Sequence, residues 1–123
     1  MGTTSFESFD VYKKGVLLAR EVFELLSTPS FDREYALKDQ LKRAVISITN
    51  NIAEGSEYNN NRQFVRFLKM AKGSCAEVRS MLVLATELKL CEREQIQTSY
   101  DLTIEIAKAL SNFIKYLNST QKE

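Results

Sequence analysis

Apolar residues recur at steps of three and four through most of the chain, which is the spacing of one face of an α-helix. The longest such run begins at Phe64 and continues through Ala71 and Val78 to Ala85 without a proline. Proline occurs once in the 123 residues, as Pro29, and glycine occurs four times. An all-β chain needs many more turn residues than this, so the pattern favours a helical protein.

Four helical segments are predicted, separated by short polar connections. They cover residues at about 10–26, 34–54, 61–88 and 92–117. The first segment ends before Pro29 because proline disfavours helical backbone at the residue that precedes it. Amphipathic helices with short connections are typical of an up-down-up-down bundle. The sequence therefore predicts an all-α four-helix bundle, with residues 1–123 forming a single domain.

Two of the segments carry more apolar residues than one core-facing stripe needs. In the third segment a second row runs from Met70 through Met81 to Leu88, and in the fourth a second row runs from Leu102 to Tyr116. Large exposed apolar surfaces usually mark interfaces, so the second rows predict self-association. The alternative is a broad arc of apolar residues that all face the core.

Positive charge is concentrated in the third segment. The net charge is only +1, which overall gives no reason to expect nucleic acid, a membrane or an acidic substrate. No acidic residue lies between positions 58 and 76, however. The basic residues there are Arg62, Arg66 and Lys69, which share a helix face opposite the core stripe, and Lys72, which lies close by. This basic face is a candidate polyanion site, and the alternative is an ordinary solvated helix face.

A polar strip flanks the core stripe of the second segment and faces small residues of the third. The predicted structural network consists of Arg43, Ser47, Asn51, Glu54, Gly55, Ser74 and Glu77. We expect Glu77 to be partly buried and paired with Arg43, because an unpaired buried carboxylate is costly. Gly73 and Ser74 would let the two helices approach closely. Gly55 is expected to end the second helix in a left-handed conformation, and Asn60 to cap the third.

Residues that carry most enzymatic chemistry are missing. The chain has no histidine, so it lacks the commonest general base and the Glu-x-x-His motif of di-iron bundles. Cys75 and Cys91 do not have metal-ligand spacing. Glu54 and Glu77 remain as an alternative acid and base pair, but the sequence shows no set of hydrogen-bond donors that would stabilise an oxyanion beside them. We therefore expect no enzyme activity, catalytic residue, metal, cofactor or small-molecule substrate.

The expected location is the cytoplasm. No apolar run approaches the length of a membrane span, and the N-terminal residues lack a secretory pattern. Two reduced cysteines are usual in a cytosolic protein. A membrane partner is not expected.

The run NNIAEGSEYNNNRQFVRFLKMAKGSCAEVRSMLVLATEL, residues 50–88, carries a family resemblance. Its characteristic positions are residues 51–55, Phe64, Phe67, Leu68, Ala71, Gly73, Ser74 and Glu77. Upstream, the dipeptides that end in Leu41, Ala44 and Ile48 also match the family pattern. The similarity covers nearly the whole chain. The chain resembles the four-helix-bundle proteins that are encoded by intervening sequences of 23S ribosomal RNA genes.

That resemblance implies a left-handed bundle, a ring-shaped homopentamer and a bacterial source, whereas the role of the family is not established. A related accessory protein of diversity-generating retroelements has the same fold, is strongly basic and works with a reverse transcriptase and RNA. The present chain is far less basic overall. The expected function is therefore that of a non-enzymatic, self-assembling binding or scaffold protein. The alternative is an RNA-binding accessory factor that uses the basic face of the third helix.

Overall fold

The computed structural model describes residues 5–120, and four long helices account for most of them. Their bounds are α1 Asp10–Leu26, α2 Tyr35–Ser56, α3 Asn61–Glu87 and α4 Arg93–Ser119. Single turns of 3-10 helix, Phe6–Ser8 and Pro29–Phe31, precede α1 and α2 respectively. No β-strand occurs within residues 5–120. The protein is an all-α four-helix bundle, as the apolar spacing predicted.

Each predicted helix boundary lies within two residues of the observed one. The Asn60 side chain accepts a hydrogen bond from the Gln63 amide at 3.0 Å, which confirms the predicted cap of α3. At α4 the side chains of Glu92 and Gln95 form a reciprocal capping box that the sequence analysis missed.

The prediction that Gly55 ends α2 in a left-handed conformation is wrong. The helix continues through Ser56, and no glycine of the described residues has a positive φ. The residue that does adopt the left-handed conformation is Lys89, with a φ of 62°, immediately after α3. There the Leu90 amide donates to the Ala85 carbonyl at 3.0 Å, the six-residue hydrogen bond that typically closes a helix C-terminus.

Contacts at the two ends of the bundle agree with the up-down-up-down order. At one end the Phe9 ring contacts Phe64 and Phe113, with centroids 6.2 and 5.4 Å away, so the starts of α1 and α3 lie beside the end of α4. At the other end Ser30 Oγ donates to the Leu90 carbonyl at 2.5 Å, which joins the α1–α2 and α3–α4 connections. Helices adjacent in sequence are packed together, and α4 closes on α1. The left-handed twist stays a prediction.

The core runs the length of the bundle along the predicted stripes. Its fully buried side chains include Leu18 of α1, Ile48 of α2, Leu82 of α3 and Leu110 of α4. Phe31, from the short turn between α1 and α2, is also completely buried. None of the helices in the described part of the chain is both long and apolar enough to cross a membrane.

The two predicted second rows have different outcomes. On α4, Leu102 and Ile106 are buried in the same core as the first row, and only the last residue of the row, Tyr116, is largely exposed, at 62%. Most of this row is therefore part of a broad core-facing arc. On α3, in contrast, Met70, Leu84 and Leu88 are 47%, 46% and 54% exposed. Only α3 therefore presents a substantial apolar row to solvent.

Candidate functional site

The predicted basic face exists as an exposed surface of α3. All four of its residues are solvent-exposed: Arg62, Arg66, Lys69 and Lys72. Across residues 5–120 the ion pairs involve Lys14 with Asp10 and Glu105, and Arg43 with Asp39. The α3 cations thus have no carboxylate within 4.0 Å in that part of the chain. Their charge is available to an external anion.

Part of the predicted polar network forms between α2 and α3. Ser74 Oγ donates to Ser47 Oγ at 2.8 Å across the helix interface. On α2 itself, Asn51 Nδ2 donates to the Ser47 carbonyl at 2.8 Å and to Ser47 Oγ at 2.9 Å. The three side chains satisfy one another where the helices meet, and burial of a polar group is tolerated when it is hydrogen-bonded. This cluster is structural.

The predicted pairing of Arg43 with Glu77 is wrong. Arg43 Nε instead donates to Asp39 Oδ2 at 2.9 Å, one helical turn earlier on α2, and both side chains are mostly exposed. Glu77 is exposed, because the apolar row that it interrupts is the one that faces solvent. A hydrated carboxylate needs no buried partner. Glu54 is also exposed, at a surface hollow lined by Phe6, Asn50 and Ala53.

Close approach of α2 and α3 depends on Gly55 and not on Gly73. A Cβ atom added to Gly55 would lie 2.7 Å from Phe67 Cβ and 2.9 Å from Phe64 Cδ1. A Cβ atom added to Gly73 would meet nothing within 4 Å. The small residues at this interface are therefore Gly55 and Ser74, while Gly73 lies on the other, exposed side of α3.

A second polar cluster, between α3 and α4, was not predicted. Arg79 Nε donates to Thr103 Oγ1 at 3.0 Å, and Arg79 Nη2 donates to the Thr103 carbonyl at 3.3 Å. Cys75 Sγ donates to the same carbonyl at 3.0 Å. Burial raises the pKa of the Cys75 thiol to about 11, although the nearby Arg79 charge acts in the opposite direction. The one available signal was that Arg79 follows the core residue Cys75 by four positions.

Metal-ligating side chains are not gathered at any point of the described residues. Within 5–120 there is no group of three or more Cys, Asp or Glu side chains that could hold an ion. The candidate acid and base pair, Glu54 and Glu77, lies on exposed surface.

Comparison with known proteins agrees with the fold described above. The family model of the 23S rRNA-intervening sequence protein matches residues 7–112. A crystal structure from Bacteroides thetaiotaomicron, described as a protein with unknown function from the S23 ribosomal protein family, is similar with a TM-score of 0.78 and 25% sequence identity. The similarity covers 85% of this chain and 98% of that one. No curated protein matches. The chain belongs to the 23S rRNA-intervening sequence protein family.

Proposed function

We propose that this protein is a non-enzymatic, self-assembling helical bundle that serves as a binding or scaffold module. The observation that supports self-assembly is the exposed apolar row of α3, formed by Met70, Leu84 and Leu88. At 1.5 Å per residue the row extends about 27 Å along the helix. The exposed carboxylate of Glu77 interrupts the row, so its apolar surface is densest at Leu84 and Leu88. Exposed apolar surface of this kind usually marks a protein interface. We further propose a homopentamer, the ring that the family resemblance implies.

The row and the basic face overlap at one end of α3, where Arg62 and Arg66 precede Met70 at steps of four, but they diverge further along the helix. Ser74 belongs to the spacing of the row and contacts Ser47 of α2, so the row flanks α2. Lys72, in contrast, lies beside Ala107 of α4. One subunit could therefore assemble through Leu84 and Leu88 while Lys69 and Lys72 remain free. A cytoplasmic location is part of the proposal, since Cys75 and Cys91 are unpaired thiols.

The test of self-assembly is native mass spectrometry together with sedimentation velocity. The Leu84→Glu, Leu88→Glu double variant is expected to lose the assembled mass, because it places charges in an apolar contact, while its helical circular dichroism stays unchanged. The matched control is Leu17→Glu, Ile104→Glu, which alters two exposed apolar residues of α1 and α4 and should assemble as wild type does. A monomeric wild type, or a double variant that keeps the assembled mass, contradicts the proposal.

An RNA-binding accessory factor is the second candidate function. The observation that favours it is the set of exposed α3 cations without carboxylate partners. Repetition of such a face in an assembly would raise the avidity for a polyanion. Phosphate contacts release counterions, so their affinity depends steeply on salt.

The second candidate predicts a large salt effect on binding of structured RNA, measured by fluorescence anisotropy. For four phosphate contacts, affinity should fall roughly 50- to 150-fold between about 50 and 200 mM salt. The Arg62→Glu, Arg66→Glu, Lys69→Glu variant should fail to bind while its native mass and helical content are preserved. Absence of wild-type binding at low salt would eliminate this candidate, and salt-resistant binding would point to an apolar interface.

A further inference from the structure

An open groove runs between α3 and α4 on the side of α3 that lies away from α2. It is lined by the small residues Gly73, Ala76 and Ala107, and by Lys69 and Lys72 on the α3 side. Two adjoining cavities of about 480 and 330 Å³ make up the groove, and they share Lys72 and Ala107. No acidic residue lines either cavity.

The α4 side of the groove adds a cation that the basic face did not include. Lys108 lines the second cavity together with Ser111 and Asn112. Lys72 and Lys108 therefore lie on opposite walls, on different helices. The positive charge is thus contributed by two helices on either side of a shallow depression and is not confined to the convex face of one helix, so an anion there would be approached from two directions.

Arg79 is the cation that the fold holds in place. Its Nε and Nη2 atoms are bonded to Thr103, and its side chain is half-buried at the edge of the first cavity. The partners of the guanidinium are neutral, and no carboxylate of residues 5–120 lies within 4.0 Å of it. Partial removal of a charge from water is unfavourable unless an opposite charge compensates. A fixed guanidinium is also the group best suited to phosphate oxygens.

The shape of the groove favours an elongated ligand over a compact one. Lys69 and Arg79 are ten positions apart on α3, which corresponds to about 15 Å along the helix. Packed helices are separated by roughly 8–10 Å between their axes, so the groove is narrow across. No aromatic side chain lines it, so base stacking would not contribute there. A single strand with regularly spaced negative charges fits these properties.

We propose that the α3–α4 groove binds the sugar-phosphate backbone of single-stranded nucleic acid. Arg79 is the fixed contact, and Lys72 and Lys108 hold the backbone from the two walls. This inference rests on the second candidate function and specifies its site, since it transfers the contact surface from the outer face of α3, with Arg62 and Arg66, to the groove.

The test measures binding of a fluorescent oligouridylate to the full-length protein by anisotropy at low salt. Lys108→Glu is the main variant, because an exposed side chain of α4 can be replaced without disturbing the core. We expect it to weaken binding at least about tenfold and to reduce the slope of log K against log salt by about 0.7, the value for one single-strand phosphate contact. Arg79→Gln, which removes the fixed charge, should weaken binding to a similar extent.

Two control variants separate the groove from general electrostatics. Lys13→Glu makes the same charge change at an exposed position of α1, the helix diagonal to α3 in the bundle. Compared with wild type at about 0.1 M salt, where the Debye length is about 10 Å, it should change affinity less than about twofold. Arg62→Glu, Arg66→Glu tests the outer face of α3. Circular dichroism and native mass must match the wild type for every variant.

Each remaining outcome is decisive. If Lys108→Glu and Arg79→Gln bind as wild type does while Arg62→Glu, Arg66→Glu does not bind, the groove is overturned and RNA binding by the outer face stands. Tighter binding of duplex than of single strand overturns the assignment of the ligand. If wild type binds no nucleic acid, both the groove and the RNA-binding candidate are overturned, whereas self-assembly is unaffected.

Discussion

Replacement of Phe31 by alanine is expected to lower the free energy of unfolding by about 3–5 kcal/mol, the usual cost of truncating a fully buried aromatic side chain. Phe31 has 0% exposure although it lies in the connection between α1 and α2. Its ring occupies the core at the end where that connection meets the α3–α4 connection through Ser30 and Leu90. The alanine variant would leave a cavity there, since a close-packed interior relaxes only partly.

Chemical denaturation followed by circular dichroism measures this effect, with the free energy extrapolated to water. The control is Tyr35→Ala, which removes an aromatic ring that is 75% exposed, only four residues further along the chain. The control should change stability by less than about 0.5 kcal/mol, as is usual for surface substitutions. A loss below about 1 kcal/mol for Phe31→Ala would show that the connection does not contribute to the core.

Alanine substitutions at Gly55 and Gly73 should have opposite signs. At Gly55 the added methyl group would lie 2.7 Å from Phe67 Cβ, which is attached directly to the α3 backbone and cannot rotate away. The two helices must then move apart, and overpacking of this kind costs about 1–3 kcal/mol. At Gly73 the methyl group meets nothing within 4 Å, so the helix gains up to about 1 kcal/mol from the better propensity of alanine.

The two variants control for each other because they make the same chemical change inside a helix. Thermal unfolding is sufficient to compare them, since for a domain of this size 1 kcal/mol corresponds to a shift of roughly 3–5 °C in Tm. Equal shifts of the same sign would contradict the assignment of Gly55 as the position of close approach.

Helix positions were predictable because their signals are local. The core stripes depend on spacing within one segment, and the start of α3 depends on Asn60 and its own first turn. Such features are determined by a few neighbouring residues, so the sequence alone gives them within two positions. The family resemblance implied the same fold. The family model confirms the family over residues 7–112, and the similar crystal structure, with a TM-score of 0.78, agrees with the fold.

Features that depend on the packing of distant segments were predicted less well. Arg43 was assigned to Glu77 because both lie beside apolar stripes. Packing, however, determines which side of α3 faces water, and Glu77 lies on that side. Arg43 instead pairs with Asp39 on its own helix. The bond between Arg79 and Thr103 joins residues 24 positions apart, and no local pattern indicates it. The same applies to Gly55, whose role becomes visible only when Phe67 is placed beside it.

Alkylation of the buried Cys75 thiol would report on transient separation of α3 and α4. Its side chain is fully buried between α3 and α4, and a pKa of about 11 keeps it protonated near neutral pH, where only the thiolate reacts readily with alkylating reagents. Modification at Cys75 therefore requires the two helices to separate. Its rate would follow the same opening events that hydrogen exchange detects, and it would do so without any introduced label.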